Sequence, residues 1–282
     1  MDVCILTIIK NEQEYIEDFV KYHLNMGIDH IYFLEDYGSG SHLRQISSFP
    51  NNNVSLLTID NIIKEENKEE LDHRLKNNML YQGFVLKYGL DFLRENTNYD
   101  WCFIIDIDEY ITIEKNNELN LKEILKNFSD YEALVLSWMN FGANGNVYKP
   151  NYNEKSIPEI YTQITSFQKC DRGVGTFKTV YNLKKCDDKT FFTQHAPRFC
   201  SKWCNTNFVK NKFETVYDKL YIRHYITKSW EEYVWKVSVR GMFSKKLRNY
   251  DTFFELNKDM INKKEELMGM IDDIIAKYNK KG

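Results

Sequence analysis

Trp101-Cys102-Phe103-Ile104-Ile105-Asp106-Ile107-Asp108-Glu109-Tyr110-Ile111 is the stretch whose reading decides the fold. Its first half, bounded by Tyr99-Asp100 and rich in Ile and Phe, reads as a buried central strand. Three acids follow, Asp106, Asp108 and Glu109. On an extended backbone Asp106 and Asp108 share one face while Ile107 turns away from it. Carboxylates crowded at a strand end raise each other's pKa unless a cation lies between them. Oxygen donors of this kind suit Mg2+ or Mn2+, ions that keep coordination positions open for substrate phosphates. An Asp-x-Asp alone is short enough to be nothing more than an acidic turn.

Working outward, residues 3–9 read as a first strand, and Asn11 is placed to cap a helix with Glu14 reaching back to it. Ile16, Phe19, Val20, His23 and Leu24 form that helix's apolar stripe. A strand at 30–34 ends in a polar turn, 35–41, whose two glycines let backbone approach a ligand closely. A short helix through Leu43 and Ile46, a strand at 54–57 and one long helix over 72–95 then deliver the chain to the acidic stretch. Strands joined by helices pair in parallel with right-handed crossovers, and ligands sit beyond the carboxyl ends of such strands. The turns at 7–12, 35–41 and 106–109 are therefore expected to converge on one pocket. Downstream, a helix at 121–128, a strand at 133–138 and a polar loop at 140–156 precede short strands expected at 161–167, 176–183 and 191–194, an antiparallel extension of the sheet. A strand at 217–223 runs into His224-Tyr225, and Ser229-Trp230-Glu231-Glu232 has the form of a capping box. Leu267, Ile271, Ile274, Ile275 and Tyr278 make a last amphipathic helix that packs on its own domain. The fold class expected is α/β, a mixed central sheet flanked by helices with a C-terminal helical extension.

The 282 residues carry a net charge of -3 from 38 basic and 41 acidic side chains, with no basic stripe, which argues against nucleic acid as a partner. Aromatics make up 15%, enough for a large core or for stacking sugars or bases in a cleft. No apolar run approaches the roughly 20 residues that span a bilayer. Of the six cysteines, Cys4 and Cys102 fall inside core strands, and free thiols in a reducing cytoplasm are expected, with peripheral attachment at the inner membrane as an alternative. Cys200 and Cys204, near His195, lack the ligand spacing of a structural zinc site.

With these residues in place, the chain resembles glycosyltransferases of the A-type, Rossmann-like fold, in particular glycosyltransferase family 92 and the bacterial family-2-like enzymes close to it. The resemblance rests on Lys10-Asn11-Glu12 with Tyr22-His23 and Gly27, on residues 103–110, on Trp138 with Phe141-Gly142, on Phe177-Lys178-Thr179, and on residues 224–229 with Glu232, Lys236, Arg240 and Gly241. It runs from about residue 3 to about 241, implying a catalytic domain over 1–241 (nucleotide-sugar half 1–112, acceptor half 113–241) and an extension over 242–282. It also implies a nucleotide-sugar donor, a UDP-hexose foremost, a glycan acceptor, a bound Mn2+ or Mg2+, and inversion at the anomeric carbon.

By that likeness Asp106 meets the ribose or the metal, Asp108 meets the metal, and His224 is the third ligand, with His195 as its rival and otherwise a donor contact. Lys10, Asn11, Asp36 and Ser39 surround the nucleoside, and Thr7, Glu12, Asn78 and Ile107 complete its surroundings. Arg74, Lys178 and Lys228 offset the diphosphate charge. Glu159, with Glu154 nearby, is the general base that direct displacement requires. Against this stand a sugar-nucleotidyltransferase, whose Gly-rich basic loop after the first strand is missing, a dehalogenase-type phosphatase, and a non-catalytic carbohydrate-binding protein.

Overall fold

The computed structural model describes residues 1–35, 46, 49, 52–76, 81–165, 176–186, 193–240 and 249–280, leaving out the side chains of 35, 61, 74–76, 81 and 82. The chain gathers into two compact units, 1–138 with 170–222, and 139–169 with 223–282.

The first unit is built on β1 (Val3–Ile9), an apolar strand buried along nearly its whole length. α1 (Gln13–Asn25) returns the chain to β2 (His30–Glu35), parallel to β1 in the register Cys4↔His30 to Ile9↔Glu35. β3 (Val54–Leu57) adds parallel to β2. Then α2 (Ile59–Ile62), α3 (Lys68–Lys76) and α4 (Tyr81–Asn96) lead to β4 (Trp101–Ile104), parallel to β1 with Leu6 opposite Ile104. Leu86, Leu90 and Leu93 recur at helical spacing on α4 and join Leu6, Leu34 and Ile104 in one buried cluster. β5 (Glu109–Ile113), α5 (Leu121–Lys126), β6 (Ala133–Asn140), α6 (Ile157–Ile160), β7 (Phe177–Asn182), β8 (Trp203–Asn205) and β9 (Leu220–His224) follow. Among the described residues the sheet order is β3-β2-β1-β4-β7-β6-β9-β5, with β8 on β6. β7 is antiparallel to both β4 and β6, so the sheet is mixed.

Three strands separate β4 from β5 in that order, a flat span of about 19 Å at ~4.8 Å per step. The few residues from 104 to 109 reach at most about 18 Å fully extended and much less through a turn. The sheet must therefore curl, and α1 marks the curl: Tyr22 Oη donates to Ile111 O at 2.8 Å, and Tyr110 Oη donates to Asp18.

Four expectations are corrected. No capping box opens α1; Glu12 is its N-cap and its side chain makes no capping bond to the helix, and Asn11 takes a left-handed conformation at φ 52°, which asparagine tolerates better than most residues. The long helix over 72–95 is two helices, α3 and α4. The strand at 161–167 does not form in its described part, which follows a helical turn started at 157 by Pro158 and the Ser156–Glu159 capping box and ended at Ile160. Within the described part, Ile164 forms an isolated bridge with Phe141, and Thr165 N donates to Asn140 O at 2.9 Å. Thr193 and Gln194 are not a strand, while 191–192, the glycine turn after residue 35 and most of the short helix near Leu43 lie outside the described residues.

The second unit receives the ends of β6 and β9 and adds α7 (Trp230–Ser238), α8 (Tyr250–Leu256), α9 (Lys264–Gly269) and α10 (Ile271–Asn279). Trp230, Tyr233, Phe253, Phe254, Leu267 and Ile274 form its core, and Trp230 Nε1 donates to Leu267 O at 2.9 Å. Asn257, fully buried, accepts from Ala143 N at 2.6 Å and donates to Thr227 Oγ1 at 3.3 Å. Gly142 has no room for a Cβ, which would lie 2.5 Å from Asn257 Oδ1. The C-terminal helices are thus packed against this unit's own loops. No helix among the described residues is long and apolar enough to cross a membrane.

His23 shows how α1 is held. Its Nδ1 donates to Phe19 O at 2.8 Å and its Nε2 accepts from Ile111 N at 3.2 Å, a pairing that only the neutral imidazole makes. Burial pushes its pKa from 6.5 down to about 3, against the opposing effect of the Phe19 carbonyl. The unfolded chain binds this proton below about pH 6.5 and the native chain does not. This contribution is therefore complete above that pH and lost as pH falls toward 3, at up to ~1.4 kcal/mol per unit. Urea unfolding of wild type and His23→Gln at pH 7, 6, 5 and 4 should show a shallower loss of stability in the variant; identical slopes would mean that His23 protonates without cost.

Candidate active site

The chain leaves β4 at Ile104 and turns: Glu109 N donates to Asp106 O at 3.0 Å, and Asp106 N donates to Glu109 Oε2 at 2.9 Å. The acids therefore lie on a closed turn and not on the extended backbone whose alternation was expected to place them. Ile107 is buried and anchors the turn, and Asp108 and Glu109 are buried with it.

Opposite this turn comes the start of β7. Because β7 runs antiparallel to β4, with Phe103 opposite Val180, its first residues lie beside the last residues of β4. Lys178 arrives there with its side chain fully sealed from solvent. Its Nζ donates to Asp106 Oδ2 at 2.7 Å, Glu109 Oε2 at 3.0 Å and Gln194 Oε1 at 3.0 Å, and lies 5.6 Å from the centre of the Trp138 ring. An ammonium has three N–H donors, and all three are engaged.

The electrostatics of the cluster are unequal. Burial works to raise the Asp106 pKa, but the Lys178 ammonium outweighs it and holds the carboxyl below its ordinary value. Burial pushes Glu109 well above the usual carboxylate range, despite Lys178. Burial would lower the Lys178 pKa, yet Asp106 and Glu109 together raise it. Asp106 keeps 34% of its side chain exposed, whereas Glu109 keeps none. Glu109 Oε1 is buried with no hydrogen-bond partner, an expensive state for a carboxylate oxygen. The donors here are all carboxylate oxygens and one of them lacks a partner, so the residues fit a hard divalent cation.

The remaining expected residues are distributed as follows. In the first unit Thr7 is buried near the end of β1 with its Oγ1 unbonded, Lys10 N approaches Glu12 Oε2 at 3.4 Å, and Glu12 is buried. His195 donates from Nδ1 to Phe177 O at 3.0 Å and meets Trp138 edge-on at 5.3 Å. The first unit thus brings Asp106, Ile107 and Asp108 together with Lys178, and places His195 against the same tryptophan. In the second unit His224 closes β9, buried, with Nδ1 at 3.0 Å from Asn140 Oδ1. Lys228 is buried at φ 53° directly before Ser229, the N-cap of α7. Glu159 is exposed and accepts from Ser156 N at 2.8 Å and Oγ at 2.6 Å, bonds that hold its carboxyl below its ordinary pKa. Asp36, Ser39 and Asn78 lie outside the described residues, as does the side chain of Arg74. Glu109, Gln194 and Trp138 were not assigned to the site from sequence; for Glu109 the signal was its place as third acid of the turn.

The model of glycosyltransferase family 92 matches residues 1–280. It therefore passes the limit near 241 suggested by the motifs and includes the C-terminal helices. No curated protein matches the chain. Among solved structures it is similar to HddC from Yersinia pseudotuberculosis, at 11% identity and TM-score 0.38 over 73% of this chain and 90% of that one. The same protein complexed with GMP-PN gives 9% and 0.41 over 79% and 93%. A 4-diphosphocytidyl-2C-methyl-D-erythritol synthase from Anaerococcus prevotii DSM 20548 gives 8% and 0.33 over 65% and 72%. Likeness at this level leaves the assignment to the family match.

The inequality of the acids has a measurable consequence. Glu109→Gln exchanges a carboxylate disfavoured by burial for a neutral isostere and should change metal-free stability by less than about 1 kcal/mol. Asp106→Asn removes the ion that compensates Lys178 and should cost more, toward the ~3–5 kcal/mol of a broken buried pair. Denaturant unfolding in EDTA compares the two, and the reverse order would make Glu109 the balancing charge.

Proposed function

The chain belongs to glycosyltransferase family 92, and from that premise we propose that it moves a hexose from a UDP-sugar to a glycan hydroxyl, with inversion and with Mn2+ or Mg2+ at the acidic turn. The observation that carries the metal reading is the buried, unpartnered Glu109 Oε1 beside Asp106 and Asp108. We assign Asp106 and Asp108 as metal ligands, with His224 as the third; Nδ1 of His224 is held by Asn140, the tautomer that leaves the lone pair on Nε2. A divalent ion bound there supplies charge neutralisation to the diphosphate oxygens as the leaving group departs.

The protein's own groups do the rest. Thr7, Lys10, Asn11 and Glu12 around the end of β1 are proposed to hold the nucleoside together with Asp36 and Ser39, while Arg74, Asn78, His195 and Lys228 serve the donor's remaining length. The acceptor oxygen attacks the anomeric carbon as the bond from that carbon to the diphosphate breaks, and Glu159 takes the hydroxyl proton. Glu159 is ionised at neutral pH, as a proton acceptor must be, and the bonds from Ser156 that lower its pKa have to loosen for it to act as the base. On this reading residues 1–112 serve the donor, 113–241 the acceptor, and 242–282 form the helical extension. The cysteines at 4, 102, 186, 200 and 204 are free and buried, which supports a reducing, cytoplasmic site of action.

A thermal-shift screen of UDP, GDP and CMP sugars with and without Mn2+ tests the donor and the metal together. UDP-sugars should stabilise wild type only with Mn2+, and Asp108→Asn should abolish that shift without lowering the unliganded Tm; full retention of the shift would remove Asp108 from the site. Glu159→Gln preserves the capping geometry and should bind donor normally while transfer falls at least a hundredfold, in line with general-base contributions. An active variant would send the base elsewhere.

A further inference from the structure

We propose that Lys178 is a resident counter-cation that sets the charge of the acidic turn to match one divalent ion. The inference rests on the metal reading above and adds a determinant of which ion the site accepts.

Sequence likeness placed Lys178 among residues that offset the donor's diphosphate. The geometry gives it a different occupation. Its side chain is fully buried, and its three donors are spent on Asp106, Glu109 and Gln194. It cannot offer an N–H to a phosphate without giving up one of these bonds. Gln194 matters because it is neutral: it holds the ammonium in place without adding another negative charge. Trp138 presents its ring to the same ammonium at 5.6 Å, a further contact that favours a cation there.

The charge count follows from the residues. With Asp106 and Asp108 ionised as ligands, and Glu109 giving up its proton when the ion meets its unpartnered Oε1, the turn carries three negative charges. Lys178 cancels one, and a single divalent ion cancels the other two. Without the lysine the same turn would favour a second cation or one of higher charge. The ammonium does not complete the cluster, since Glu109 Oε1 remains buried and unpartnered. The arrangement is therefore an acidic turn partly neutralised from within, with one further cation still to be accommodated.

Calorimetric titration of the metal-free protein with Mn2+ at fixed ionic strength tests this. Wild type should bind one Mn2+. Lys178→Gln, which keeps N–H donors to the acids but removes the charge, should bind Mn2+ at least tenfold more tightly, and Lys178→Arg should stay within about threefold of wild type. Gln194→Glu leaves the lysine in place and adds one negative charge against it; it too should tighten binding, and it carries the test if the lysine variant does not fold. If neither Lys178→Gln nor Gln194→Glu binds Mn2+ more tightly than wild type, the role given to Lys178 is overturned. Absence of Mn2+ binding by wild type would overturn the metal reading itself.

Discussion

A buried ammonium among carboxylates is the constraint on which the first unit's acidic turn depends. Lys178 would be costly in the interior without partners, and Asp106 and Glu109 would repel each other without it. The 2.7 and 3.0 Å contacts settle both problems at once. They exist because β7 enters the sheet antiparallel between β4 and β6, bringing the beginning of one strand beside the end of another. A parallel β7 would put Lys178 at the opposite end of the strands, beside the start of β4.

The same turn explains why the sheet curls. Residues between β4 and β5 are too few to cross three flat strands, so the chain that carries the acids also draws the far edge inward. α1 then secures β5 through Tyr22, His23 and Asp18, each bonding to Tyr110 or Ile111. The neighbourhood of the acids is thereby held from two sides by elements remote in sequence.

The second unit shows a comparable dependence on distant residues. Gly142 and Ala143 sit where Asn257 can bond the backbone, and the same asparagine reaches Thr227 beside the buried Lys228. The C-terminal segment is bonded through Asn257 to two of the loops that carry family motifs, and the family match continues to residue 280.

Much of the fold was legible in the residues themselves. Unbroken apolar runs at 3–9 and 101–104, separated by helical stripes, sufficed for the parallel strands, since a strand buried on both faces needs no alternation. Ser229 and Glu232 announced the start of α7, because a capping box is a local bond between residues three apart. The acids at 106, 108 and 109 were visible as chemistry. What the residues could not convey was their arrangement: the turn at 106–109, the left-handed Asn11, the helical turn at 157–160 and the pairing of Lys178 with Asp106. Local pattern sets which groups are available and which segments are buried; the register and direction of strands some 70 residues apart, which no short-range periodicity encodes, decided that two carboxylates and a glutamine would meet around one buried lysine.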